Sequence, residues 1–188
     1  TVTPATGYKF DKWDQKLTQT FTEDITTITA KYEELGNIIP QGKTDGSDKP
    51  SGYITVRFEA DANGSLSGNT VYYVNPEKYV DLTDTAKAIT KNPNTGYTEK
   101  GGTWDKTLNA KFNDGDVITF NFKALADVIE EKPGVTKPAG YVTVKFIPTD
   151  KATDTKEKVY FVNPLKEVTI TNKPEGKEMD INGNKSSF

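Results

Sequence analysis

A chain of 188 residues with a net charge of -3 has room for one or two domains, and it contains neither Cys nor His. Disulfides, thiol chemistry, zinc sites built from Cys or His, and Ser-His-Asp or Cys-His catalysis are therefore excluded, which leaves carboxylates, Lys, Tyr, Ser and Thr for any enzyme reading. Arg57 is the one arginine, acidic and basic side chains are interleaved as in 151–158, and no run approaches the ~20 apolar residues that cross a bilayer, so neither nucleic-acid binding nor membrane insertion is expected.

In chain order, the first predicted strand lies around Gly7-Tyr8-Lys9-Phe10-Asp11-Lys12-Trp13. A second follows where Ile28, Ala30 and Tyr32 alternate with Thr27, Thr29 and Lys31. Residues 39–51 carry Pro40, Gly42, Gly46 and Pro50 and read as a semi-rigid linker. Ile54, Val56 and Phe58 then share one strand face, with Thr55, Arg57 and Glu59 on the other. Asp61-Ala62-Asn63-Gly64 supplies turn chemistry. Val71-Tyr72-Tyr73-Val74 is apolar on both faces and predicts a central strand, which Asn75-Pro76 ends because proline has no N–H to donate. Alternation resumes at Val80 and Leu82. Helix is scarce: residues 84–89 and 124–129 each predict a turn or two.

From residue 93 the same landmarks return. Pro4 and Gly7-Tyr8 reappear as Pro93 and Gly96-Tyr97, Trp13 as Trp104, Leu17 as Leu108, Phe21 as Phe112 and Leu35 as Leu125. Gly52-Tyr53-Ile54-Thr55-Val56-Arg57-Phe58 reappears as Gly140-Tyr141-Val142-Thr143-Val144-Lys145-Phe146. Val71-Tyr72-Tyr73-Val74-Asn75-Pro76 reappears as Val159-Tyr160-Phe161-Val162-Asn163-Pro164, and residues 130–139 repeat the Pro- and Gly-bearing linker. One place differs: Glu99-Lys100-Gly101-Gly102 adds two residues and leaves Phe10 without an apolar counterpart, which reads as a bulge or widened loop.

A duplicated scaffold with abundant threonine (27 residues) predicts a mainly β protein, with α+β as the alternative, made of two small tandem units arranged end to end. Two frames fit the repeat. One places the units at 1–89 and 90–188; it avoids exposed half-units, whose apolar strand edges are an aggregation liability. The other places a complete unit at 52–129 between half-units 1–39 and 140–188, and a variant of it lets the two end halves complement each other between molecules.

The Gly-Tyr-x-Phe-x-x-Trp stretch followed by Asp24-Ile25-Thr26-Thr27-Ile28-Thr29-Ala30-Lys31-Tyr32 resembles tandem repeats of Gram-positive, wall-anchored surface adhesins, similar to the SSURE and SHIRT types of streptococci and to internalin B-repeats. Gly-Tyr-Val-Thr-Val-x-Phe and Val-Asn-Pro resemble the streptococcal-type members in particular. The resemblance implies β-grasp-like or β-sandwich-like units, each running from the Gly-Tyr-x-Thr-Val strand to the Thr-Ala-x-Tyr strand, which supports the 52–129 frame. It implies a segment of a longer extracellular protein, attached to the cell wall through other parts of its parent. Its expected role is a non-enzymatic stalk segment in contact with neighbouring repeats. The alternatives are binding of a host matrix or plasma protein such as fibronectin or plasminogen, or of a glycan, and at a distance a glycan-active enzyme.

The ligand-contact candidates are Trp13, Trp104, Tyr8 and Tyr97; for the two tryptophans the plainer role is core packing. Asp61 with Asn63, and Asn113, Asp114 and Asp116, are acidic turns, but neither group fits a calcium loop, so no metal is assigned. A Lys–Asn isopeptide bond has Asn75 and Asn163 available, but Arg57 stands where the second copy has Lys145, and Arg cannot serve. No catalytic residue and no cofactor is assigned: 27 acidic residues make chance carboxylate pairs common, and none sits on a recognisable scaffold.

Overall fold

A computed structural model describes residues 2–24, 26–147 and 157–171, together with the backbone of residues 177–179 and 185–187. Strand accounts for 42% of it and helix for 4%, so the protein is mainly β, with several small sheets and no closed barrel. The chain forms two compact units that interleave in sequence: Thr1–Asn92 with Gly101–Phe122, and Pro93–Lys100 with Lys123–Phe188.

The first unit opens with an antiparallel pair, β1 (Tyr8–Trp13) and β2 (Ala30–Glu34), whose register slips between Phe10 and Lys12. That bulge changes the side-chain parity of β1, and it lets Trp13 meet Phe10 edge-on at 5.6 Å. Next come β3 (Ile38–Pro40), β4 (Ile54–Ala60), β5 (Gly64–Ser67), β6 (Val71–Val74) and β7 (Val80–Asp81). The one helix among the described residues, α1, spans Thr83–Ala88, within a residue of its predicted place. It is followed by β8 (Thr90–Pro93), β9 (Tyr97–Trp104), β10 (Asn109–Ala110) and β11 (Asp116–Ala124).

The main sheet has the order β3-β6-β4-β11-β9. β6 runs antiparallel to β4, and β11 runs parallel to β4 with Phe58 opposite Ile118. A parallel neighbour needs a crossover connection, and here the crossover contains α1. Two hairpin-like strand pairs with a helix between them, and the first and last strands parallel at the centre, make this a β-grasp arrangement. Its four strands β6, β4, β11 and β9 lie in residues 54–124.

Period-2 patterning builds the core. Val56 and Phe58 from β4, Ile118 and Phe120 from β11, and Tyr72 and Val74 from β6 are all buried, and Leu82, Ala86 and Ile89 cover them from the helical segment. Burying a side chain such as Val56 or Ile118 contributes about 1.5–3 kcal/mol. Trp104 fills the space between Phe58 (5.1 Å) and Phe120 (5.0 Å), edge to face with both.

The second unit holds a three-stranded antiparallel sheet, β12 (Val128–Glu130), β14 (Lys158–Val162) and β13 (Val142–Phe146), in the order β12-β14-β13. It reproduces β3-β6-β4: Val162 lies between Val128 and Val142 as Val74 lies between Ile38 and Ile54. A last backbone pair joins β15 (Lys177–Met179) to β16 (Lys185–Ser187).

Two local expectations change. Residues 124–129 are not helical, because Val128, Ile129 and Glu130 pair with β14. The supposed linkers are folded at their starts: Ile38, Ile39 and Pro40 pair with Val74, Tyr73 and Tyr72, and the loop beyond is tied down by Asp48, which accepts from the N–H groups of Gly42 (2.7 Å) and Lys43 (3.2 Å). In both cases unpaired backbone beside an apolar sheet edge finds partners by joining that edge.

Candidate functional site

One constellation of side chains is built twice, once in each unit. In the first unit it starts at Gly7, which has φ 90°, a conformation that glycine adopts without steric cost. Its carbonyl accepts from Leu35 N–H at 2.8 Å, closing the base of the β1–β2 hairpin. A Cβ at this position would lie 3.1 Å from Asn75 Nδ2, so the glycine also makes room for that amide.

Asn75 is 3% exposed and fully engaged. Its N–H donates to Asn37 O (3.0 Å), its Nδ2 donates to Asn37 Oδ1 (3.2 Å), and its Oδ1 accepts from Glu77 N–H (3.1 Å). Tyr53, also buried, donates its hydroxyl to Gly36 O at 2.9 Å. Gly52 has φ 78° and packs so closely on Thr6 that any side chain there would collide. Three separated segments, 6–7, 35–37 and 52–53, thus converge on Asn75.

The second unit repeats every part. Gly96, at φ 93°, accepts from Leu125 N–H at 2.8 Å, and a Cβ on it would lie 2.9 Å from Asn163 Nδ2. Asn163 donates from N–H to Asp127 O (2.8 Å) and from Nδ2 to Asp127 Oδ1 (2.9 Å), and accepts from Leu165 N–H (3.1 Å). Tyr141 donates to Ala126 O at 3.0 Å, and Gly140 packs on Thr95. Where the copies differ, function is kept: Asp127 offers the same acceptor oxygen as Asn37, and Ala126 uses only the carbonyl that Gly36 uses. Buried polar groups are costly unless paired, so two fully satisfied copies define one geometry each.

Electrostatics agree with this role. Burial, helped by the nearby Glu34 carboxylate, raises the Tyr53 pKa above its ordinary value, and burial with Asp127 raises that of Tyr141. Both hydroxyls remain donors at neutral pH. The chemistry available is hydrogen bonding and packing, which fix the angle at which chain enters the next sheet.

The ligand-contact candidates lie elsewhere. Trp104 packs against the core, with the Lys91 ammonium 5.7 Å from its ring centre. Trp13, half-buried, has Phe10 as its ring neighbour. Tyr8 is exposed on β1, and Tyr97 is half-buried where β9 begins. Trp13 and Tyr8 share a strand, as do Trp104 and Tyr97; the structure forms no single aromatic cluster from all four.

The acidic turns are engaged by backbone N–H groups and lysines of the same chain. Asp61 accepts from Asn63 N–H and Nδ2 and from Phe122 N–H, and Asp114 accepts from Thr55 N–H (2.8 Å) and Lys49 Nζ (3.2 Å). Asp116 accepts from Asn113 N–H and Lys106 Nζ. Among the described residues no group of three Asp or Glu side chains could hold a metal ion. Lys145 reaches Glu157 at 2.8 Å while Asn163 bonds Asp127, so the isopeptide partners are each engaged with another group. Sequence reasoning treated Asn75 as a strand terminator and missed its part in the junction. The signal was present: Gly-Tyr and Val-Asn-Pro are kept in both copies, and a polar residue kept amid apolar neighbours needs a partner.

Comparison of the chain with protein-family models, with curated proteins and with solved structures finds no match.

Proposed function

We propose that this chain is a non-enzymatic repeat segment of a bacterial cell-surface adhesin, extracellular and wall-attached through other parts of its parent, and that it serves as an elongated stalk. The junction carries the reading. A flexible string of beads has no use for a buried asparagine, a buried tyrosine and two positive-φ glycines at every boundary, whereas a spacer that must hold its direction does. The short strand after each hairpin supports it too: β3 and β12 continue out of one repeat and join the sheet edge of the next. Such coupling between nearest neighbours is the physics of repeat arrays.

Small-angle scattering on dilute monomer tests the proposal. A stalk segment gives a radius of gyration well above the roughly 16 Å of a compact chain of this length. A value at that compact limit would sink the stalk reading.

A further inference from the structure

The complete sheet shows what β1–β2 lacks. β11 has two neighbours, β9 on one edge and β4 on the other; among the described residues, β2 pairs with β1 alone. β4 likewise has two neighbours, β6 and β11, whereas its counterpart β13 pairs with β14 alone. Among the described residues one edge is left over at each place, and in the sheet of β4 and β11 the two matching edges are paired.

Exposure tells the same story. Phe112 and Phe122 are each 6% exposed, but the matching Phe21 and Tyr32 are 52% and 40% exposed. Val142, on the other side of the missing interface, is 45% exposed, while its match Ile54 is half-buried. Phe10 and Leu17 add to the uncovered face around Trp13. An apolar face beside an unpaired edge is a template for strand addition.

Charge adds a third match. In the complete unit Lys49 bridges to Asp114 at 3.2 Å, in the turn that leads into β11. Lys49-Pro50-Ser51-Gly52 recurs as Lys137-Pro138-Ala139-Gly140, and the turn that leads into β2 carries Glu23 and Asp24. Lys137 is exposed, as are both acids, and no ion pair joins any of them to another described residue.

We infer that the β1–β2 hairpin is a docking site for the β13–β14 hairpin of a second copy of this chain. The β4–β11 register carries over: β13 lies parallel to the segment that leads into β2, with Phe146 opposite Ile28 and Val144 opposite Thr26, and Lys137 beside Glu23 and Asp24. The contact is heterologous, since the front of one copy meets the rear of another, so it builds chains rather than a self-limited pair.

Sedimentation of the full chain tests this with two blocked variants. Phe21→Asp with Tyr32→Asp blocks the front; Val142→Asp with Val144→Asp blocks the rear. Wild type at high micromolar concentration shows an average mass above monomer that rises with concentration. Each blocked variant alone stays monomeric with an unchanged β circular dichroism signal, and a mixture of the two forms a one-to-one heterodimer that does not grow. Should a blocked variant lose its β signal, the exposed charges substitute: Lys137→Glu, which replaces an attraction by repulsion from both acids, weakens self-association about tenfold, about 1.4 kcal/mol, and adding Glu23→Lys with Asp24→Lys restores it. Wild type that stays monomeric throughout, folded blocked variants that associate like wild type, or a Lys137→Glu variant that associates like wild type or is not rescued by the two acidic reversals would each overturn the proposal.

Discussion

Tyr73 and Phe161 hold equivalent places on β6 and β14 and differ by one hydroxyl. The Tyr73 hydroxyl donates to Asp48 Oδ1 at 2.9 Å, in a loop that has no aspartate in its second-copy counterpart, residues 131–139. Donor and acceptor are present together or absent together, as expected when either alone would be left unsatisfied. Tyr73→Phe should cost about 1 kcal/mol in urea unfolding, and Phe161→Tyr should cost about 1–3 kcal/mol because the new hydroxyl is buried without that aspartate. The junction glycines allow a sharper comparison. Gly96 and Gly115 both have positive φ, 93° and 84°, but a Cβ at Gly115 meets nothing within 4 Å. Gly115→Ala should therefore cost roughly 1–2 kcal/mol of backbone strain alone. Gly96→Ala adds displacement of Asn163, and the difference between the two unfolding free energies measures that contact.

At the scale of elements, the two copies pack these strands differently. In copy one Phe10 on β1 lies opposite Tyr32 and Trp13 opposite Ala30; copy two places Gly102 on β9 and Phe120 on β11. The Phe120 ring lies over Gly102, where a Cβ would come within 2.7 Å of it and of Asn121 O. The added glycines are thus part of a continuous strand and make no widened loop. Gly102→Ala alone should destabilise by about 1–3 kcal/mol through overpacking. Phe120→Ala alone should cost about 3–5 kcal/mol. The double variant should be less destabilised than the sum, because alanine at 102 relieves part of the cavity, and a double-mutant cycle by urea unfolding reads that coupling. This compensation also shows what the sequence made legible. Strand parity at Ile54, Val56 and Phe58 was plain, since alternation is local. The partner of each strand was not: β4 and β11 are about sixty residues apart, and periodicity says which face is apolar but not which strand lies beside it. β12 escaped notice for a related reason. Three residues are too few to show a period, and only the neighbouring edge of β14 makes them a strand.

Across the whole molecule, acid should act at many sites at once. Backbone donation from Thr55, then the Lys49 ammonium, holds the Asp114 carboxyl below its ordinary pKa of 3.8, and donation from Asn113 N–H and Lys106 does the same for Asp116. A carboxyl whose folded pKa lies below its unfolded one stabilises the fold fully above the unfolded value, and that contribution fades as pH falls through the folded value. Urea midpoints should therefore hold from neutrality to about pH 5 and then fall steadily toward pH 2, with Asp114→Asn flattening the decline. Tyr53 and Tyr141 act in the opposite direction: their raised pKa values make the junction lose stability as pH climbs past the ordinary tyrosine value of 10.0. The parallel pairing of β4 with β11 has a mechanical consequence. The β4–β11 pair is entered at the start of β4 and left at the end of β11, so a pull applied across residues 54–124 slides these two strands along each other. The pairs from Val56↔Asp116 to Ala60↔Phe120 then bear the load together in shear, where an antiparallel hairpin pulled at its open end would peel apart one bond at a time. Stretched in optical tweezers, the 54–124 sheet should hold and then give way in a single abrupt extension, with no gradual lengthening before it.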